Sequence, residues 1–174
     1  MKKQNPNKLR IIRKYCIFLK EDKRQDESSI DGVAKAINRF EQYTNFKDFK
    51  QFHFQQAVGF KKHLTNQKNE VTRKPLSKAT LNTTTNHLKR FFHWLAGQQG
   101  YKSKIQYSDA EYFNLSEKET RIANAKRSKP IPTMDQINHV LSTMPTTTDI
   151  ERRNRDLIAF TILTGARDSA IDSS

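Results

Sequence analysis

Two groups of side chains in this sequence suit a phosphate-bearing partner. Thr164-Gly165-Ala166-Arg167 places an arginine just beyond a glycine that can close a helix in the left-handed conformation. An arginine stays protonated, and its planar fork makes two parallel hydrogen bonds to the oxygens of one phosphate. Arg167 suits a phosphate contact, although the tetrapeptide by itself describes a surface arginine after a helix end better. The second group lies upstream, in a stretch from Thr72 to Tyr107 that contains no acidic residue. Here Lys74, Ser77, Lys78, Asn82, Thr83, Asn86, Lys89 and Arg90 combine cations with short hydrogen-bonding side chains. Cations neutralise phosphates, whereas amides and hydroxyls also reach base edges. The mixture fits duplex DNA better than the Glu and Lys pairs of an ordinary solvated helix do. A basic face that is simply solvated is the plainer alternative.

Helices must position both groups. Glycine and proline number 5 each, and apolar residues recur at helical spacing, so the chain reads as all-α. A first helix from about Lys8 to Lys20 aligns Leu9, Ile12, Cys16 and Leu19, with Arg10, Arg13, Lys14 and Lys20 elsewhere. The charged connection Glu21 to Glu27 precedes a second helix that starts at Ser28 or Ser29. That helix buries Ile30, Val33, Ile37 and Phe40 and exposes Lys35, Asn38, Arg39 and Gln42. Phe46, Phe49, Phe52 and Phe54 read as core and lead into a third helix with Ala57, Phe60 and Leu64 inside and Lys61 and Lys62 in solvent. The basic, non-helical stretch Val71 to Leu76 ends at Ser77, which caps a fourth helix reaching about Ala96. Leu81, Leu88, Phe92 and Leu95 form its buried side, and Asn82, Thr83, Asn86, Lys89, Arg90 and His93 fall opposite. A short helix covers Asp109 to Phe113, and LSEKETRIANAKRSKPIP follows as a linker without a clear apolar stripe. Capping boxes at Thr133 with Gln136 and at Thr148 with Glu151 open two more helices. Their apolar residues are Ile137, Val140 and Leu141, then Leu157, Phe160 and Leu163; Pro145 closes the first, Gly165 the second, and Arg167 to Ser174 begins another helix.

Lysine and arginine number 32 against 18 acidic residues, a net charge of +14 with a pI of about 10.0. That excess points to a polyanionic partner, nucleic acid first. No stretch approaches the roughly 20 apolar residues of a membrane span, and MKKQNPNKLR has no signal-peptide core, so a cytoplasmic location is expected. Cys16 is the only cysteine, which excludes an internal disulfide, and it reads as a small packed hydrophobe. The histidines are scattered without metal-ligand spacing, so no structural metal is expected.

The string LIAFTILTGARDSAIDSS resembles the T-G-x-R box that opens the catalytic domain of phage-type tyrosine recombinases, the integrases. KPLSKATLNTTTNHLKRFFHWLAGQQGY is similar to the last long helix of the family's core-binding, SAM-like domain, and IPTMDQINHVL resembles the entry to its catalytic domain. Order and spacing agree, and the resemblance spans about Lys8 to Ser174. It implies a SAM-like helical core-binding domain over 7–113, a linker over 114–132 and the first helices of a truncated catalytic domain over 133–174. In the family, an arginine at the position of Arg167 holds the non-bridging oxygens of the scissile phosphate. The other catalytic parts are a lysine on a β-hairpin, an H-x-x-R pair, a further His or Trp and the nucleophilic tyrosine. All of them follow that arginine, where this sequence has only residues 168–174. His-Leu-Lys-Arg at 87–90 matches H-x-x-R in form but precedes Arg167, and Tyr101, Tyr107 and Tyr112 lie in or near the interdomain connection, where they read as packing residues. Many members carry a glutamate three residues after the arginine; here that residue is Ala170, and Asp168 points elsewhere on a helix.

The resemblance thus implies the DNA-binding portion of a site-specific recombinase, expected to be inactive alone. The intact enzyme would exchange DNA strands through a phosphotyrosine intermediate without a cofactor. A non-catalytic DNA-binding accessory factor with an integrase-like N-terminal half is the alternative, and a basic RNA-associated helical protein is a third reading. The implied partners are duplex DNA at an attachment or crossover site and further copies of the full-length recombinase. No membrane partner is expected, and the free chain is expected to be monomeric.

Overall fold

The computed structural model describes residues 6–68, 72–125 and 131–165. Arg167 lies outside them, together with Asp168, Ala170 and the helix expected from Arg167 onward. The described residues are all-α and contain no strand, only an isolated bridge between Lys68 and Pro75. The chain divides into two compact units, Met1–Lys126 and Arg127–Ser174.

In the first unit α1 (Pro6–Glu21), α2 (Glu27–Tyr43), α3 (Phe54–Asn66) and α4 (Lys78–Ala96) are followed by the shorter α5 (Tyr107–Glu111) and α6 (Glu117–Asn124). A single 3-10 turn, Phe49–Gln51, precedes α3. Helix α4 is central and packs against α2, α3, α5 and α6. Its sequence explains that position: Leu81, Leu88, Phe92 and Leu95 are buried as the spacing predicts, and Thr84, Thr85, Phe91 and Ala96 widen the face. Thr85 is tolerated inside because its hydroxyl donates back to the Leu81 carbonyl at 3.0 Å.

The core around α4 is largely aromatic. Phe52 stacks on Phe92 with ring centroids 3.7 Å apart, and Phe40 meets Phe60, Phe92 and Phe113 edge to face. Burying one phenylalanine side chain contributes about 1.5–3 kcal/mol, and the edge-to-face geometry adds to that. Phe49 and Phe52 are buried and Phe46 is half-buried, but Phe54 is exposed; it opens α3 and rests on Tyr112.

Helix α1 differs from its sequence reading. Its buried residues are Lys8, Tyr15 and Leu19, while Leu9 is exposed and Cys16 half-buried. The buried face is rotated toward α4, where the Tyr15 ring seats against Phe91 and Trp94. Lys8 departs furthest from expectation. After α2, Asn45 and Phe46 adopt positive φ of 56° and 60°, and the Lys8 ammonium donates to the carbonyls of Phe46 and Lys47 at 3.2 and 3.0 Å. It also pairs with Glu41 at 2.6 Å, and the two side chains are only 4% and 7% exposed. Paired and hydrogen-bonded in this way, the charges can stay inside, where either one alone could not.

Helix α2 begins one to two residues earlier than the serines suggest. Asp26 is the cap, and its carboxylate accepts the Ser29 N–H at 2.8 Å. A carboxylate also complements the positive end of the helix dipole, which a serine hydroxyl does less well.

The second unit is a helix pair, α7 (Met134–Thr143) and α8 (Asp149–Thr164). Both expected capping boxes form, and α8 ends on Gly165 in the left-handed conformation at φ 63°. The apolar residues of the pair are largely open: Val140, Leu157, Phe160 and Leu163 are exposed, and Ile137 and Leu141 are half-buried. Two helices of this length cannot enclose each other's apolar faces. No described helix is long and apolar enough to cross a membrane.

Candidate nucleic-acid interface

The acid-free stretch reaches its place through α4. Ser77 caps the helix, its Oγ accepting the Thr80 N–H at 3.1 Å, and Gly97 ends it. With one face held in the aromatic core, the opposite face is fixed in direction. The hydroxyl of Ser77 is engaged in that cap and in a 2.9 Å contact with the Thr80 hydroxyl, while Lys74 stands exposed in the preceding loop.

The outer face is divided lengthwise. Residues 117–124, read from the sequence as part of a linker, form α6, which packs along α4. Lys78 pairs with Glu119 of α6 at 2.6 Å, and the Asn82 amide reaches Asn124 at 3.5 Å. Further along, Lys89 donates to Glu111 at 2.7 Å and to the Asn114 side chain at 3.0 Å. His93 Nε2 lies 3.0 Å from the other Glu111 oxygen, in a direction that makes no hydrogen bond. Lys78, Asn82 and Lys89, expected from the sequence to contact DNA, thus have protein partners.

Thr83, Asn86 and Arg90 form the second strip, and all three are exposed. They recur at the three- and four-residue intervals that put side chains in line along a helix. The Asn86 amide donates to Asn82 Oδ1 at 3.3 Å, which couples the open strip to the covered one. Among the described residues, no carboxylate lies within ion-pair distance of Arg90. Its charge acts instead on two neighbours: it lowers the pKa of half-buried His87, after burial itself, and it partly opposes the burial that pushes Tyr15 up to about 12. His87 and Arg90 thus have an electrostatic relation. Beside Arg90 a cleft of about 470 Å³ is walled by Tyr15, Phe18 and Trp94, with Lys23 at its edge.

The acids that cover the first strip are held ionised. Hydrogen bonds from Lys89 keep Glu111 below the usual carboxylate range, and those from Lys78 do the same for Glu119. These two glutamates were missed as parts of the site because they lie beyond the acid-free stretch. A signal for Glu119 was available: Ser116 and Glu119 have capping-box spacing, and that box forms at the start of α6.

Among the described residues no cluster of histidine, cysteine or acidic side chains could hold a metal ion. Comparison with protein-family models, curated proteins and solved structures finds no match for this chain.

Proposed function

We propose that the first unit binds duplex DNA through Thr83, Asn86 and Arg90, and that the chain is the DNA-binding portion of a site-specific tyrosine recombinase. One observation carries the DNA reading. On a chain with a net charge of +14, the strip of α4 left open by α5 and α6 holds a guanidinium, an amide and a hydroxyl in line. A guanidinium grips a phosphate or a guanine edge, and an amide matches adenine, so the strip combines backbone and base chemistry. Lys74, in the loop that leads into α4, can extend the contact to a neighbouring phosphate.

The family reading is supported by its three sequence segments, in order, and by the helices that carry them: α4, α7 and α8. In that reading the first unit is a SAM-like core-binding domain, and Arg167 holds the scissile phosphate in the intact enzyme. The test is a titration of the full chain against a labelled duplex and a structured RNA at matched salt. Tighter binding to the duplex, weakened by Arg90→Ala and by Asn86→Ala, is expected. Equal affinity for the RNA, or indifference to both substitutions, contradicts the proposal.

A further inference from the structure

A second cluster of cations lies away from the α4 strip and shares no residue with it. Between α1 and the turn after α4, a polar cleft of about 450 Å³ is lined by Arg10, Lys14, Lys50, Gln98 and Gln99. Its cations are held in place without being neutralised. Lys14 donates to the side-chain oxygen of Gln98 at 2.9 Å, a neutral partner that fixes the ammonium and leaves its charge intact. Lys50 lies 5.6 Å from the centre of the Tyr101 ring. Arg10 is exposed on the same side of α1.

Two other charged groups line the cleft, and only the first is neutralised. The Lys8 charge is cancelled by Glu41. Asp48 caps the 3-10 turn, its carboxylate accepting the Lys50 N–H at 2.9 Å. Among the described residues, none of Arg10, Lys14 and Lys50 has a carboxylate within ion-pair distance. Three unpaired cations against the one Asp48 carboxylate leave the cleft a surplus of positive charge, together with the amide of Gln99, while the Gln98 amide already donates to the Trp94 carbonyl at 3.3 Å.

We infer that this cleft is a second phosphate-binding site, which takes the sugar-phosphate backbone of a nucleic acid independently of base sequence. Its walls decide against a nucleotide read by its base. The aromatic side chain in it, Tyr101, is 8% exposed and has Lys50 over its ring, so no open face is left for a base to stack on. What remains is cations and amides, the chemistry of backbone contact. The inference shares with the proposed function the premise of a nucleic-acid partner but not the α4 strip.

The experiment is a salt series of full-chain binding to two duplexes of unrelated sequence, comparing Arg10→Gln/Lys14→Gln with the control Lys35→Gln/Lys62→Gln. The control removes the same charge from exposed positions elsewhere. Loss of two phosphate contacts lowers the salt slope by about 1.8 units and affinity at 0.1 M salt by roughly 60-fold. That loss is expected to be equal on both duplexes, much larger than for the control pair, and accompanied by an unchanged unfolding curve. A loss no larger than the control's overturns the inference. So does competition by inorganic tripolyphosphate as strong as by unlabelled duplex at equal phosphate, because that would make the ligand a free polyphosphate. If the cleft variant binds as the parent does while Arg90→Ala is weakened, the cleft fails and the strip stands; the converse result separates them the other way.

Discussion

Glu111→Gln tests the interface from its covered side. Glu111 holds Lys89 at 2.7 Å, and the side chains are 48% and 26% exposed, so the pair contributes only about 0–1 kcal/mol to the fold. Glutamine keeps the shape and can still meet Asn114, but it no longer competes with a phosphate for the lysine. If the DNA lies along α4, the released Lys89 adds about one phosphate contact. The salt slope should then steepen by about 0.9, and affinity at 0.1 M salt should rise about 8-fold. Anisotropy titrations from about 0.05 to 0.3 M salt would measure both quantities over the range where such slopes are resolved. The added net charge could raise affinity by itself, so the same substitution is made in a Lys89→Ala background, where the gain should vanish. A gain of equal size in both backgrounds would refute the geometric reasoning, as would no gain at all.

Lys8→Ala should lower the stability of the first unit by about 3–5 kcal/mol in urea unfolding followed by Trp94 fluorescence, because Glu41 is left buried and unpaired. Lys8→Met with Glu41→Leu should recover most of that loss; failure to recover it would show that the carbonyl contacts, not the ion pair, dominate. Phe92→Ala, which removes a ring stacked on Phe52 and fully buried, should cost about 3–5 kcal/mol by the same measurement. Glu111 and Glu119 have pKa values lowered in the fold, so what they contribute is present at neutral pH and lost as pH falls through the lowered values, below the ordinary 4.5. A melting temperature that falls by the same amount in that range for the parent and for Glu111→Gln/Glu119→Gln would count against this assignment. Gly59→Ala brings a methyl group against the Tyr43 hydroxyl; Tyr43→Phe in the same chain should restore part of the stability lost.

Local periodicity made the core of the first unit readable. Helix α4 was visible from end to end, with its Ser77 cap and its leucine and phenylalanine face, because a long amphipathic helix states its own orientation. What stayed hidden was pairing across sequence. Lys8 looks like any lysine at the start of a basic helix, and nothing local shows that a positive-φ turn 38 residues later presents it with a carbonyl. In the same way the stretch from Thr72 to Tyr107 has no acid of its own, yet the fold brings Glu111 and Glu119 onto its lysines. Composition counts charges, and only the tertiary structure shows which of them remain uncompensated. That distinction moves the proposed contact from the whole outer face of α4 to Thr83, Asn86 and Arg90.

The most direct measurement is a structure of the full chain bound to duplex DNA. The account predicts that α4 meets the duplex with its open strip, Arg90 and Asn86 within hydrogen-bond distance of phosphate oxygens or base edges, and α6 away from the groove. A complex in which the DNA lies elsewhere, with Thr83, Asn86 and Arg90 all left in solvent, would contradict it.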